Sequence, residues 1–109
     1  MVDYYRRLAD LLIAVEKELR EMQLWELQSP SPEALASTAP FAVDQLSFNQ
    51  WLQFLFMPRM YDIIEISAPL PISCSIAPMA EEFFKVEQRE AAALILKLAA
   101  IDRLITAGY

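Results

Sequence analysis

Histidine is absent from this 109-residue chain, and glycine and cysteine occur once each, as Gly108 and Cys74. Each scarcity removes a class of function. Without histidine the common proton shuttle and metal ligand are missing, and serine–histidine or cysteine–histidine nucleophiles cannot be built. A single cysteine gives no internal disulfide and too few thiolates for a zinc site, so no metal is expected. A single glycine excludes glycine-rich phosphate loops and argues against an all-β sandwich, whose tight turns need it. Basic charge is sparse as well. Nine Lys and Arg stand against fifteen Asp and Glu, for a net charge of −6. The longest basic run is Arg6-Arg7, so direct nucleic-acid binding and attachment to an anionic membrane surface are both disfavoured.

What is abundant is apolar. Hydrophobic residues make up 56% of the chain, enough for one ordinary domain, residues 1–109, with its own core. Asp3 and the lack of a long apolar run at the start argue against a signal peptide. The most apolar late stretch, 91–101, is short and carries Lys97, so no membrane span is expected. Together with the lone thiol this suggests a cytoplasmic setting.

Periodicity predicts an all-α, single-domain helical bundle of three main helices, with one or two short helices and a proline-rich loop packed on it. The first helix, about Asp3 to Leu24, carries Tyr5, Leu8, Leu12, Val15, Leu19 and Met22 in one stripe. Core packing explains that stripe, and a homodimer seam is its rival. Prolines 30 and 32 follow, with Ser31 placed to cap a short helix that has Pro32 in its first turn. Ser47 and Gln50 form a capping box for a second long helix. Pro69 and Pro71 end it. Residues 66–80 carry no charge, so this loop is expected to lie on the bundle and bury Leu70, Ile72 and Ile76. Pro78 opens a short helix, and the last helix is expected from about Glu87 to Thr106, with Gly108 just past its end.

The second long helix holds an oddity, Phe54-Leu-Phe-Met-Pro-Arg-Met-Tyr-Asp62. At about 100° per residue, Phe48, Trp51, Leu52 and Leu55 share one face. Continued past Pro58, the same wheel carries Arg59 and Asp62 onto that face and turns Met60, Ile63 and Ile64 away. A kink at Pro58 and a partly buried cluster of Arg59 with Asp44 or Asp62 would reconcile the two halves. Phe48, Trp51, Phe54 and Phe56 nearly circle the helix, so it is either buried on several sides or presents a protein-binding surface. Trp51, Phe54, Phe56 and Tyr61 are read first as core and second as the lining of a small-molecule pocket. The paired acids Glu81-Glu82 and Asp62 with Glu65 read as solvated helix faces rather than a catalytic dyad. Cys74, far in sequence from any basic residue, reads as an inert thiol.

Several ordered boxes carry a resemblance. They are Thr38, Pro40, Phe41 and Asp44; Trp51, Leu52 and Gln53; Pro58, Arg59, Met60 and Asp62; Pro69, Leu70 and Pro71; and Ala77 with Pro78. In this order they resemble the YqcC-like family of small bacterial proteins. The chain departs from that pattern at Met79-Ala80, where an aromatic pair is frequent, and at Ile63 to Ser67. The resemblance implies a helical bundle with no established activity; separately, no cofactor is expected. Members are sometimes labelled after a tRNA pseudouridine synthase, but that chemistry needs a catalytic aspartate in a much larger α/β fold, so the label reads as that of a genomic neighbour.

Three functions are weighed. The first is a non-enzymatic accessory or interaction module that holds a protein partner or a second copy through Trp51 to Asp62 and the proline loop. The second is a small-molecule or anion-binding protein, or an enzyme, with a pocket between the proline-containing helix and the loop 69–78 and Arg59 as the cation. An RNA-modification accessory protein is the third reading. The candidate residues are Asp44, Trp51, Arg59 and Asp62, and in the loop Pro69, Leu70, Pro71 and Pro78.

Overall fold

Helix α1 (Val2–Glu21) forms where the first stripe predicts it, and Leu8, Leu12, Val15 and Leu19 are completely buried. Those four residues pack against α6 (Ala92–Ala107) within the same chain. The molecule is a computed structural model that describes residues 2–71 and 74–107. It is all helical among those residues, with no strand and no helix long and apolar enough to cross a membrane.

Between these two helices lie the elements that build the candidate site. Helix α2 (Pro32–Leu35) is capped by the Ser31 hydroxyl, which accepts from the Ala34 N–H at 3.1 Å. A 3-10 turn, Pro40–Ala42, follows. Helix α3 (Phe48–Trp51) starts at the expected capping box, with Ser47 and Gln50 bonded reciprocally. It runs without a break through a π-helical turn (Leu52–Phe56) into α4 (Met57–Ile66). Helix α5 (Ala77–Val86) begins with Pro78 in its first turn. The main core is shared by α1, α3, α4, α5 and α6. A smaller apolar cluster of Ala34, Ala42 and Leu46 sits beside it, and Trp51 touches both.

The scarcity of glycine is met at the helix ends by other residues. Gln23, Ser67 and Gln88 take left-handed conformations, with φ of 61°, 52° and 55°. Each closes a Schellman motif: Leu24 N–H donates to Leu19 at 2.8 Å, Ala68 to Ile63 at 3.0 Å and Arg89 to Phe84 at 2.9 Å. The last of these corrects the expected start of α6. The chain turns at Gln88, so residues 87–91 are not helical and α6 starts at Ala92. Arg89 then donates to the Met22 carbonyl, which ties the end of α1 to the approach to α6. In the uncharged loop Ile76 is buried and Leu70 is half-buried against the core, as expected. Ile72 and Gly108 lie outside the described residues.

Candidate functional site

The π turn settles how the proline-containing helix keeps its core face. Phe48, Leu52, Phe56 and Met60 are buried, as are Asn49, Gln53 and Met57. Both rows advance by four residues per turn, which a helix of about 3.6 residues per turn cannot hold for long. In the π turn the Met57 N–H donates to the carbonyl of Leu52, five residues back. One extra residue resets the phase by about 100°. Met60 therefore swings into the core, and Arg59 and Asp62 swing out to solvent.

This corrects the expected buried cluster. Arg59, Asp44 and Asp62 are all exposed. Asp44 accepts from the Ser37 hydroxyl at 2.6 Å, and the salt bridge found among the described residues joins Arg20 to Glu16 instead. Arg59 has no hydrogen-bond or ion-pair partner among the described residues. The wheel drawn from sequence was sound for a uniform α-helix, but the helix is not uniform.

Amide side chains on α3 and the π turn fix the neighbouring chain. Gln53 clasps Glu26 by both backbone groups, accepting from its N–H at 2.9 Å and donating to its carbonyl at 2.7 Å. Asn49 donates to the Leu24 carbonyl at 3.3 Å, and Gln50 to the Glu26 carboxylate at 3.2 Å. These bonds satisfy the two buried amides and hold the strap after α1 in place.

On the opposite side of the helix opens a cleft of about 550 Å³. Phe41, Trp51, Leu55, Phe56, Arg59 and Met60 form one wall, and Pro71, Cys74, Ser75 and Ile76 the other. Trp51 is the hub of the aromatic wall. Its ring stacks on Phe56 at 5.4 Å and meets Phe41 at 4.8 Å. Phe41 holds that contact from a left-handed backbone, φ 57° and ψ 18°, and Ala42 follows with φ 49°. Non-glycine residues occupy that region at about 1–2 kcal/mol each, so the surrounding contacts hold Phe41 there. Phe41 also lines a second, smaller groove of about 290 Å³ with Val43, Phe48, Phe83 and Val86, where the charged residue is Glu82.

The loop wall is held by a residue that sequence reading passed over. Asp102 of α6 accepts from the Ile76 N–H at 2.8 and 2.9 Å and from the Ala77 N–H at 2.8 Å. It thus caps the N-terminus of α5 from another helix, where a negative charge is favoured. Thr106 bonds both the N–H and the carbonyl of Cys74, at 3.1 and 3.2 Å. The one available signal was a charged residue within a strongly apolar helix facing an uncharged loop. Burial pushes the Cys74 thiol up to about 12, helped by its hydrogen bond to Asp102, so the thiol stays protonated near neutrality.

The remaining expected residues scatter. Pro71 lines the cleft, Pro69 is exposed, and Leu70 supports the loop from the core side. Pro78 faces a separate hollow beside Asp102 and Arg103. Phe54 and Tyr61 lie outside the cleft wall, which takes only Trp51 and Phe56 from the expected aromatic four. Among the described residues no group of three acids or thiols is placed to hold a metal ion.

With this geometry in view, the likeness to known proteins is informative. The family DUF446, described as tRNA pseudouridine synthase C, matches residues 7–104. An uncharacterised protein of Haemophilus influenzae is 36% identical over 86 residues, covering 79% of this chain and 80% of that protein. The uncharacterised protein YqcC of Escherichia coli is 34% identical over 93 residues, 85% of each chain. Its solution NMR structure superposes with a TM-score of 0.83 at 32% identity, covering 94% of this chain and 88% of that one. A Pectobacterium carotovorum protein named tRNA pseudouridine synthase C is 33% identical over 78 residues. That match takes in 72% of this chain but 21% of that protein.

Proposed function

This chain belongs to the DUF446 family of YqcC-like bacterial proteins, and from that premise we propose that it is a non-enzymatic accessory module that binds a protein partner, a tRNA pseudouridine synthase, through its aromatic cleft. The observation that carries the partner's identity is the Pectobacterium match. There a segment similar to most of this chain makes up about a fifth of a protein bearing the synthase name. Within one polypeptide, linkage supplies a high effective concentration without any affinity. Without that linkage, such a module needs an interface to reach the same enzyme.

The composition of the cleft supports binding over catalysis. Arg59 is its charged group, Cys74 stays protonated, and no carboxylate lines it. Acid–base work needs groups poised near the operating pH. The net charge of −6 leaves tRNA contact to the partner.

Sedimentation velocity of the chain mixed with the synthase of the same cell tests the proposal. A complex with a Kd of about 1 µM or tighter is expected. Independent sedimentation of the two at concentrations well above that value overturns it.

A further inference from the structure

Three unusual local features converge on the cleft. The π turn contributes Leu55 and Phe56 and rotates Arg59 to the rim. Phe41 closes the aromatic wall from a strained backbone. Arg59 stands there exposed and without a partner among the described residues. π turns and left-handed non-glycine residues gather where a site is being shaped.

The chemistry of the walls narrows what fits. The apolar side chains of Phe41, Trp51, Leu55 and Phe56 ask for an aromatic or branched apolar group. A single guanidinium balances a single negative charge, and in a protein of net charge −6 a dianion would stay largely uncompensated. A planar fork of donors matches a carboxylate. Two backbone donors that could hold a phosphate or a chain-terminal carboxylate are already spent. The α5 N-terminus beside the cleft gives its Ile76 and Ala77 N–H groups to Asp102. The volume of about 550 Å³ exceeds one side chain and suits a stretch of two or three residues.

We propose that the cleft recognises an extended segment of its protein partner in which an Asp or Glu side chain adjoins an aromatic or branched apolar residue, Arg59 pairing with the carboxylate and Trp51, Phe41 and Phe56 receiving the apolar group. The proposal rests on the cleft being the recognition surface of the module. Mutual recognition is then both apolar and charged, and the charge supplies the specificity.

Blocked tetrapeptides test it without the synthase. One has Glu next to Phe, a second replaces the Glu by Gln, and phenyl phosphate serves as the dianion control. Each is titrated into the full chain and into Arg59→Met, with the thermal midpoint measured beside the affinity. The Glu peptide is expected to bind with a Kd near 1 mM or tighter, and the Gln peptide about tenfold more weakly. Arg59→Met is expected to erase that difference with the midpoint unchanged. Equal binding of the Glu and Gln peptides overturns the proposal, as does a preference that survives Arg59→Met, tighter binding of phenyl phosphate, or no binding of the Glu peptide. A Glu preference without a synthase complex leaves the cleft chemistry standing and removes only the named partner. A synthase complex indifferent to Arg59→Met removes the cleft chemistry and leaves the accessory role.

Discussion

Removing the Asp102 carboxylate should loosen the loop wall of the cleft and destabilise the whole fold. Three short contacts, at 2.8, 2.9 and 2.8 Å, join it to the N–H groups of Ile76 and Ala77. Those two residues are 2% and 7% exposed, so in Asp102→Ala both donors are left without a partner in a nearly dry setting. An unsatisfied buried donor costs about 1–3 kcal/mol, which puts the pair at roughly 2–6 kcal/mol. Asp102 itself is only half-buried, so water can enter the vacated space and the lower part of that range applies. A loss of about 2–4 kcal/mol is expected. Asp102→Asn keeps one acceptor but no charge, and should lose about 1 kcal/mol. Urea denaturation followed by far-UV circular dichroism reads both. A loss below about 0.5 kcal/mol for Asp102→Ala, with an unchanged denaturant slope, would refute the cross-helix cap.

Other outcomes follow from the same geometry. Arg59→Ala should change stability by less than about 0.5 kcal/mol, whereas Met60→Ala, one residue on, should cost about 2–4 kcal/mol; equal effects in denaturant would mean the π turn does not set the phase. Gln88→Gly should stabilise by about 1 kcal/mol in the same assay, because glycine takes φ of 55° without the penalty of a Cβ; a loss of stability would contradict the left-handed cap. Stability should also fall with rising pH above about 9. The unfolded thiol ionises at its ordinary value of 9.0, whereas folded Cys74 keeps its proton to about 12, so the unfolded state gains as pH climbs. Cys74→Ala should flatten that part of the profile, and denaturation midpoints from pH 8 to 11 that coincide for the two proteins would count against it.

Much of the architecture is legible in residues that act locally. Ser47 with Gln50, and Ser31 with Pro32, mark helix starts because their bonds close within one turn. Pro69 and Pro71 mark an end because they cannot donate a backbone bond. The stripe on α1 reads as core because its period matches an α-helix. The π turn does not read from sequence, since it exists to keep two rows of four-residue spacing on one face, and that demand comes from packing. The turn at Gln88 escapes for a related reason: its left-handed backbone is held by a Schellman bond rather than signalled by glycine. Asp102 escapes because it caps a helix 25 residues earlier in the chain. Of the candidate residues, Trp51, Arg59 and Pro71 line one cleft, with Arg59 at its rim instead of in a buried pair.

The accessory role through the aromatic cleft is tested most directly by two-dimensional ¹H–¹⁵N NMR of the chain as the synthase is added. The signals of Phe41, Arg59, Ser75 and the Trp51 indole N–H are expected to shift or broaden first, while those on the exposed faces of α1 and α6 hold their positions. Changes confined to α1 and α6, or none at all, would contradict it.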